Sequence, residues 1–274
     1  MSVESGEPQE SLAVNSLAAT LAADLSAALD PCELARRVGI EPDPWQAKLL
    51  RSDSKRNLVN CSRQSGKSLT AALLCAHVAL YSPGSLTLLV SPSERQSGEL
   101  FKRVRGIFRE LSWPCPATTE SALRLELANG SRVVSLPGKE GTVRGFSAPA
   151  LIVLDEASRI PDELYVALRP MLAVSGGRIV ACSTPFGQRG FWWEAWRGRE
   201  DWERVKVPAS QCPRISAEFL AEERASMSHF QYLAEYCCSF EAASGAVFDL
   251  AAIEKCFDDS IKPLGILDQK IWGH

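Results

Sequence analysis

The chain has 274 residues, 46% of them hydrophobic, with 30 Lys and Arg against 33 Asp and Glu for a net charge of -3. That length buries one sizeable α/β core with a small appendage and is cramped for two full domains, and the acidic balance excludes a protein that grips nucleic acid through high overall positive charge. No run of about 18 apolar residues and no basic leader followed by an apolar stretch occurs, so neither a membrane span nor a signal peptide is expected and a soluble, intracellular protein is.

Nine cysteines without a C-x-x-C pair, alongside only 3 histidines, fit a reducing compartment and offer no zinc framework. The adjacent Cys237 and Cys238 read as small hydrophobes of a helix rather than a redox pair. Charge is uneven: residues 1–43 carry a net -6, which leaves +3 for residues 44–274 and keeps a modest basic surface open.

The first dozen residues are polar and are expected to be disordered. Ser16 to Leu29, rich in Ala and Leu, predicts a helix, and Asp30-Pro31 reads as the N-cap and first residue of a second helix through Arg37. Residues 1–43 therefore form an N-terminal helical segment ahead of the main fold. From Pro44 onward, apolar strands alternate with helical stretches, the pattern of an α/β domain with a mostly parallel central sheet covered on both faces. The predicted strands are Asn57 to Cys61, Leu86 to Ser91, Arg124 to Glu126, Arg132 to Ser135, Ala150 to Asp155, Gly177 to Ser183 and Trp202 to Val207. Helices are predicted at Ser68 to Tyr81, Glu94 to Leu111, Asp162 to Leu172 and Gly190 to Arg197. Bare apolar runs such as Leu151-Ile152-Val153-Leu154 suit strands buried on both faces.

The stretch Cys61-Ser62-Arg63-Gln64-Ser65-Gly66-Lys67-Ser68 follows a strand and opens a helix, the setting in which loop amides and a helix N-terminus converge on phosphate. Gly66 admits close backbone approach, Lys67 suits the β- and γ-phosphates, and the Ser68 hydroxyl suits Mg²⁺. Cys61 stands where the usual G-x-x-x-x-G-K-S/T pattern has glycine, which weakens the motif taken alone. A second, independent signal is the strand that ends in Asp155-Glu156, two carboxylates at the edge of the sheet where the phosphate loop also lies. Asp155 is the candidate Mg²⁺ ligand and Glu156 the candidate general base. Taken singly it reads as an acidic turn; with the loop it reads as nucleotide hydrolysis.

Four further features carry candidate roles. Ser183-Thr184-Pro185 ends the next strand, where the hydroxyls can report γ-phosphate cleavage or simply make a turn. Gln46, in Pro44-Trp45-Gln46, has an amide that matches the N6/N7 edge of adenine; the other reading is a helix-start residue facing solvent. Two arginines are candidates for stabilising charge on the γ-phosphate: Arg63 in cis from within the loop, and Arg144, in Gly141-Thr142-Val143-Arg144-Gly145, reaching into a neighbouring subunit or lying on the surface. Phe191-Trp192-Trp193-Glu194-Ala195-Trp196-Arg197 suggests a base-stacking platform or, more simply, a core-facing helix with Trp192 and Trp196 on one face.

In this order the motifs resemble the ATPase domain of the large terminase subunit of tailed bacteriophages, collinearly from about residue 44 to 257. The likeness includes the loop with Cys61 and an internal Arg63, Arg144 in a Gly-rich segment, Asp155-Glu156-Ala157 and Ser183-Thr184-Pro185. It continues through the aromatic segment Gly187 to Trp196 and through Tyr232-Leu233-Ala234-Glu235-Tyr236 with Phe240. The resemblance implies a three-layer P-loop NTPase of the ASCE/RecA-like class, with an ATPase core at 44–209, a small lid at 210–250 and a linker at 251–274. It implies ATP and Mg²⁺ as ligands, and double-stranded DNA, a portal protein and the small terminase subunit as partners. A homo-oligomeric ring, in many members of five subunits, working in the cytoplasm of an infected bacterium is implied as well. Large terminases usually continue into a nuclease domain, whereas this sequence stops at His274, so no DNA cutting is expected of it. A helicase-like ATPase and a nucleotide-binding scaffold with little turnover stay open as alternatives.

Overall fold

The computed structural model describes residues 7–138, 143 and 145–241. Three helices lead: α1 (Glu7–Leu29), α2 (Pro31–Arg37) and α3 (Pro44–Arg51). The first begins at Glu7, inside the stretch expected to be disordered and well before Ser16. Pro8 is tolerated in a first helical turn. Asp30 caps α2 as read, its carboxylate accepting the Cys32 N–H at 2.9 Å.

The core alternates as predicted: β1 (Arg56–Cys61), α4 (Lys67–Tyr81), β2 (Leu86–Ser91), α5 (Glu94–Glu110), β3 (Ala117–Glu120), β4 (Arg124–Leu127), β5 (Arg132–Pro137) and β6 (Leu151–Asp155). After a 3₁₀ turn at Ala157–Arg159 come α6 (Asp162–Leu168), α7 (Met171–Ser175), β7 (Arg178–Ser183), α8 (Gly190–Arg197) and β8 (Glu203–Val207). The described chain ends with a 3₁₀ turn at Ala209–Gln211, α9 (Ala217–Ser226) and α10 (His229–Cys237). Two details differ from the sequence reading. The exposed strand β3 lacks the apolar pattern that marks the others, and the single helix expected over Asp162 to Leu172 is split because Pro170 has no N–H for its ladder.

One eight-stranded sheet runs in the order β3-β4-β5-β2-β6-β7-β1-β8. The strands from β5 to β8 pair in parallel, and β3 and β4 extend that sheet as an antiparallel edge. Side chains alternate between two cores, as strand geometry requires. Val59, Leu89, Val153 and Val180 face one layer with α4 and α5, joined by Ala27, Cys32 and Leu34 of the leading helices. Leu58, Leu88, Ile152 and Ala181 face the other with α6 and α8. The N-terminal segment is thus welded to the core. Trp192, 2% exposed, and Trp202, 5% exposed, are core residues, the simpler of the two readings of the tryptophan-rich helix.

Candidate active site

Strand order decides which loops meet. Because β7 lies between β6 and β1, the chain ends leaving these three strands are neighbours at one edge of the sheet. Those ends carry Asp155-Glu156, Ser183-Thr184 and the candidate phosphate loop at residues 61–68, so three motifs far apart in sequence are brought together.

The loop shows why its first position needs no glycine. Cys61 is still part of β1, paired with Val207, and its side chain is fully buried. The left-handed backbone falls instead on Gln64 (φ 58°) and Gly66 (φ 98°). Ser62 donates its N–H to the Val207 carbonyl at 3.0 Å, and the Ser65 hydroxyl donates to the Ser62 carbonyl at 2.9 Å. Burial pushes the Cys61 thiol up to about 11, so it stays protonated and acts as packing.

Lys67, at the start of α4, places Nζ 3.0 Å from Glu156 Oε1. Burial works to lower its pKa, but the charge and hydrogen bond of Glu156 lead the effects that outweigh it and hold the ammonium above its usual value. Glu156 itself sits at φ 53°, a left-handed conformation that a non-glycine residue adopts at a cost of about 1 kcal/mol or more. Ser68 Oγ donates to Asp155 at 3.2 Å from Oδ2. Asp155 is 6% exposed, and burial first, then the neighbouring Glu156, pushes its pKa up to about 6 against the pull of Lys67 and Ser68.

The remaining candidates fall at or near this cluster. Ser183 Oγ donates to Ser158 Oγ at 2.7 Å and accepts the Ser158 N–H at 3.1 Å, tying the end of β7 to the turn that follows Glu156; Thr184 is buried beside it. Gln46 is 3% exposed rather than facing solvent. Its Oε1 accepts the Asp43 N–H at 2.8 Å and its Nε2 donates to Thr70 Oγ1 at 2.9 Å, so the amide is clamped against the loop's helix. Arg63 turns to α10, donating to Glu235 from Nε at 2.5 Å and from Nη2 at 3.1 Å. Arg144 lies outside the described residues, as do the 242–250 end of the expected lid and the 251–274 linker.

A cavity of about 730 Å³ opens over Gln64, Gly66, Lys67, Ser68 and Glu156. Its walls include Arg63 together with Gln96, Arg103 and Arg159, three residues the sequence reading missed. Arg159 stands three residues after Glu156, a spacing that could have flagged it; its guanidinium lies over the Phe186 ring, 4.1 Å from the centroid. Gln96 and Arg103 lie on α5, a helix with several Arg and Glu and nothing to mark these two out. Arg214 is a fourth missed residue: it reaches from the chain after β8 to the loop, donating to the Ser65 carbonyl at 3.0 Å.

The model of the large terminase subunit of T4-like viruses, N-terminal part, matches residues 58–255, well over half of the chain. The chain belongs to the large terminase family. Curated terminase large subunits similar to it include that of Thermus virus P23-45, 27% identical over 247 residues and covering 77% of this chain and 51% of that protein. Another is that of Escherichia phage T5, 26% identical over 227 residues, covering 77% and 50%. This terminase chain therefore spans about half the length of the curated relatives it matches. Among solved structures, the ATPase domain of the Thermus phage P74-26 large terminase superimposes with a TM-score of 0.68 at 23% identity, covering 76% of this chain and 97% of that one. The large terminase of a thermophilic bacteriophage in complex with ADP gives 0.59 at 12% identity, covering 73% and 54%. These likenesses show that the chain has the α/β fold of large terminase ATPase domains, with its mostly parallel sheet. No described helix is long and apolar enough to cross a membrane.

Proposed function

We propose that this chain binds and hydrolyses ATP and, as part of a large terminase, uses that energy to drive double-stranded DNA into a procapsid. One observation carries the reading: Lys67, Ser68, Asp155 and Glu156 converge at a single sheet edge, with Lys67 3.0 Å from Glu156 and Ser68 3.2 Å from Asp155. That is the set phosphoryl transfer requires: a cation for the phosphates, oxygen ligands for a metal and a carboxylate to take a proton from water. Family membership, and a relative's structure in complex with ATP-gamma-S, support it.

Roles follow from position. The loop amides of residues 64–68 and the α4 N-terminus cradle the phosphates, the Ser62 and Arg63 N–H groups being held by the Val207 and Glu235 carbonyls. Gln46, beside Gly66, reads the adenine edge with the hydrogen-bonding capacity its two protein contacts leave over. The Ser68 hydroxyl and the Asp155 carboxylate are hard oxygen donors set side by side, and they fit Mg²⁺, which binds one or two protein oxygens plus phosphate. When bound, that ion neutralises charge on the β- and γ-phosphates. Glu156 takes the proton of the attacking water. Arg63 and Arg144 are the two candidates for offsetting negative charge on the γ-phosphate, Arg144 from a neighbouring subunit. Ser183 and Thr184 couple the state of the γ-phosphate to the β7 end through Ser158.

The partners in this reading are double-stranded DNA, a portal protein and a small terminase subunit. The assembly is a homo-oligomeric ring, with five subunits as the working number, in the cytoplasm of the infected host. Phosphate release measured with and without double-stranded DNA tests it. Turnover that rises with DNA and vanishes in Lys67→Ala is the expected result; DNA-independent behaviour with Lys67→Ala matching wild type would sink it. Efficient strand displacement would favour a helicase instead.

A further inference from the structure

Three segments far apart in sequence meet behind the phosphate loop. Asp43 ends the N-terminal segment, Ser65 lies in the loop and Arg214 follows β8 where the chain enters the last two described helices. Arg214 donates from Nη1 to Asp43 Oδ1 at 3.0 Å and from Nη2 to Asp43 Oδ2 at 2.6 Å, a two-pronged pair that holds the guanidinium flat. The same Nη2 donates to the Ser65 carbonyl at 3.0 Å. A Cβ added to Gly66 would lie 3.4 Å from that nitrogen and 2.7 Å from Gln46 Nε2, so Arg214 and Gln46 jointly enclose the back of the loop.

The consequence comes from peptide geometry. The Ser65–Gly66 peptide is trans, so the Ser65 oxygen and the Gly66 N–H point in opposite directions. Fixing the oxygen from behind aims the N–H away from Arg214, and Gly66 and Lys67 line the cavity in front. The Gly66 carbonyl is fixed as well, accepting the Thr70 N–H at 3.0 Å and the Thr70 hydroxyl at 3.1 Å. Both peptides flanking Gly66 are therefore held by side chains that do not themselves line the cavity.

We propose that Arg214 is a positioning residue for nucleotide binding: braced by Asp43, it fixes the Ser65–Gly66 peptide so that the loop's amide is aimed at the phosphates. The inference rests on the ATP-binding reading and extends it to a residue outside every recognised motif. An amide that meets the α- and β-phosphates is engaged before, during and after γ-phosphate cleavage. Loss of its aim weakens ground state and transition state alike, raising KM with little effect on kcat.

The test compares wild type, Arg214→Ala, Arg214→Lys and Asp43→Asn by ATP and ADP affinity, by KM and kcat for ATP, and by Tm, with Lys67→Ala as the control for nucleotide binding itself. Arg214→Ala is expected to weaken ATP and ADP by the same factor, about tenfold, with the loss in KM. Arg214→Lys keeps a donor for the Ser65 carbonyl and recovers part of the affinity. Asp43→Asn keeps Arg214 but removes its ionic brace; it falls between wild type and Arg214→Ala and reads the effect even if that variant folds poorly. Unchanged affinity in Arg214→Ala, a loss confined to kcat, a lower Tm with affinity intact, or Arg214→Lys as weak as Arg214→Ala would each overturn the proposal. ATP binding unaffected by Lys67→Ala would instead bring down the ATP reading.

Discussion

Lys67 Nζ and Glu156 Oε1 stand 3.0 Å apart, so the loop cation and the candidate base are paired directly across the sheet edge. In the proposed reading, a triphosphate at the loop would compete with Glu156 for Lys67 and leave the carboxylate free to act on water. Lys67→Ala is expected to weaken ATP binding at least tenfold, because a nearly buried cation aimed at phosphate is lost. Titration of a fluorescent ATP analogue checks this, and affinity within twofold of wild type would contradict it.

Gly66 combines a left-handed backbone with close neighbours. At φ 98°, with Gln46 Nε2 2.7 Å from where a Cβ would stand, Gly66→Ala has both strain and a clash to relieve. The expected cost is about 1–3 kcal/mol of stability, with ATP affinity reduced because Gln46 is displaced. Thermal denaturation and nucleotide titration of the same variant read the two effects.

Arg63 is held by Glu235 on α10 through two side-chain hydrogen bonds, and its N–H donates to the Glu235 carbonyl at 3.2 Å. A γ-phosphate must draw the guanidinium from that carboxylate if Arg63 acts in cis. Glu235→Gln is then expected to lower KM for ATP, whereas Arg63→Ala lowers kcat at least tenfold. Steady-state kinetics of the two variants decide it: equal and parallel losses would show that the pair serves only to hold α10.

His77 on α4 points its Nε2 at the carbonyls of Ala27 and Ala28, 3.1 and 3.2 Å away, so this nitrogen carries a proton in the neutral ring. Burial lowers the pKa of His77 below its usual value, against the smaller opposing effect of those carbonyls. With the folded pKa below the unfolded one, protonation favours the unfolded chain. The stability is complete above about pH 6.5 and is lost as pH falls through the folded pKa. Wild type should therefore lose more Tm between pH 7.5 and 5.5 than His77→Gln does.

The strands were legible in the sequence because a strand buried on both faces leaves a bare apolar run, and the loop at residues 61–68 was legible because it and Asp155-Glu156, each ambiguous alone, point to one chemistry together. Cys61 looked like a defect only while the motif was read as a string. In the structure that position is the last residue of β1, where glycine has no special advantage. Arg214 was invisible for a different reason: its role comes from a contact across 149 residues to the Ser65 carbonyl, and a backbone oxygen leaves no mark in a sequence. Gln46 stands out in the sequence as a candidate, but its burial and its two protein contacts depend on how α3 packs against α4. The early start of α1 is not legible because the polar composition of the first residues reads as disorder.

Steady-state phosphate release reads whether Glu156 serves as the base for ATP hydrolysis at this sheet edge. Wild type and Glu156→Ala are compared with and without double-stranded DNA, as protein concentration is raised. Wild type is expected to turn over, faster with DNA, while Glu156→Ala still binds ATP but releases phosphate about a hundredfold more slowly or worse. Wild type as slow as Glu156→Ala at every concentration, with or without DNA, would contradict it and leave a nucleotide-binding scaffold in its place.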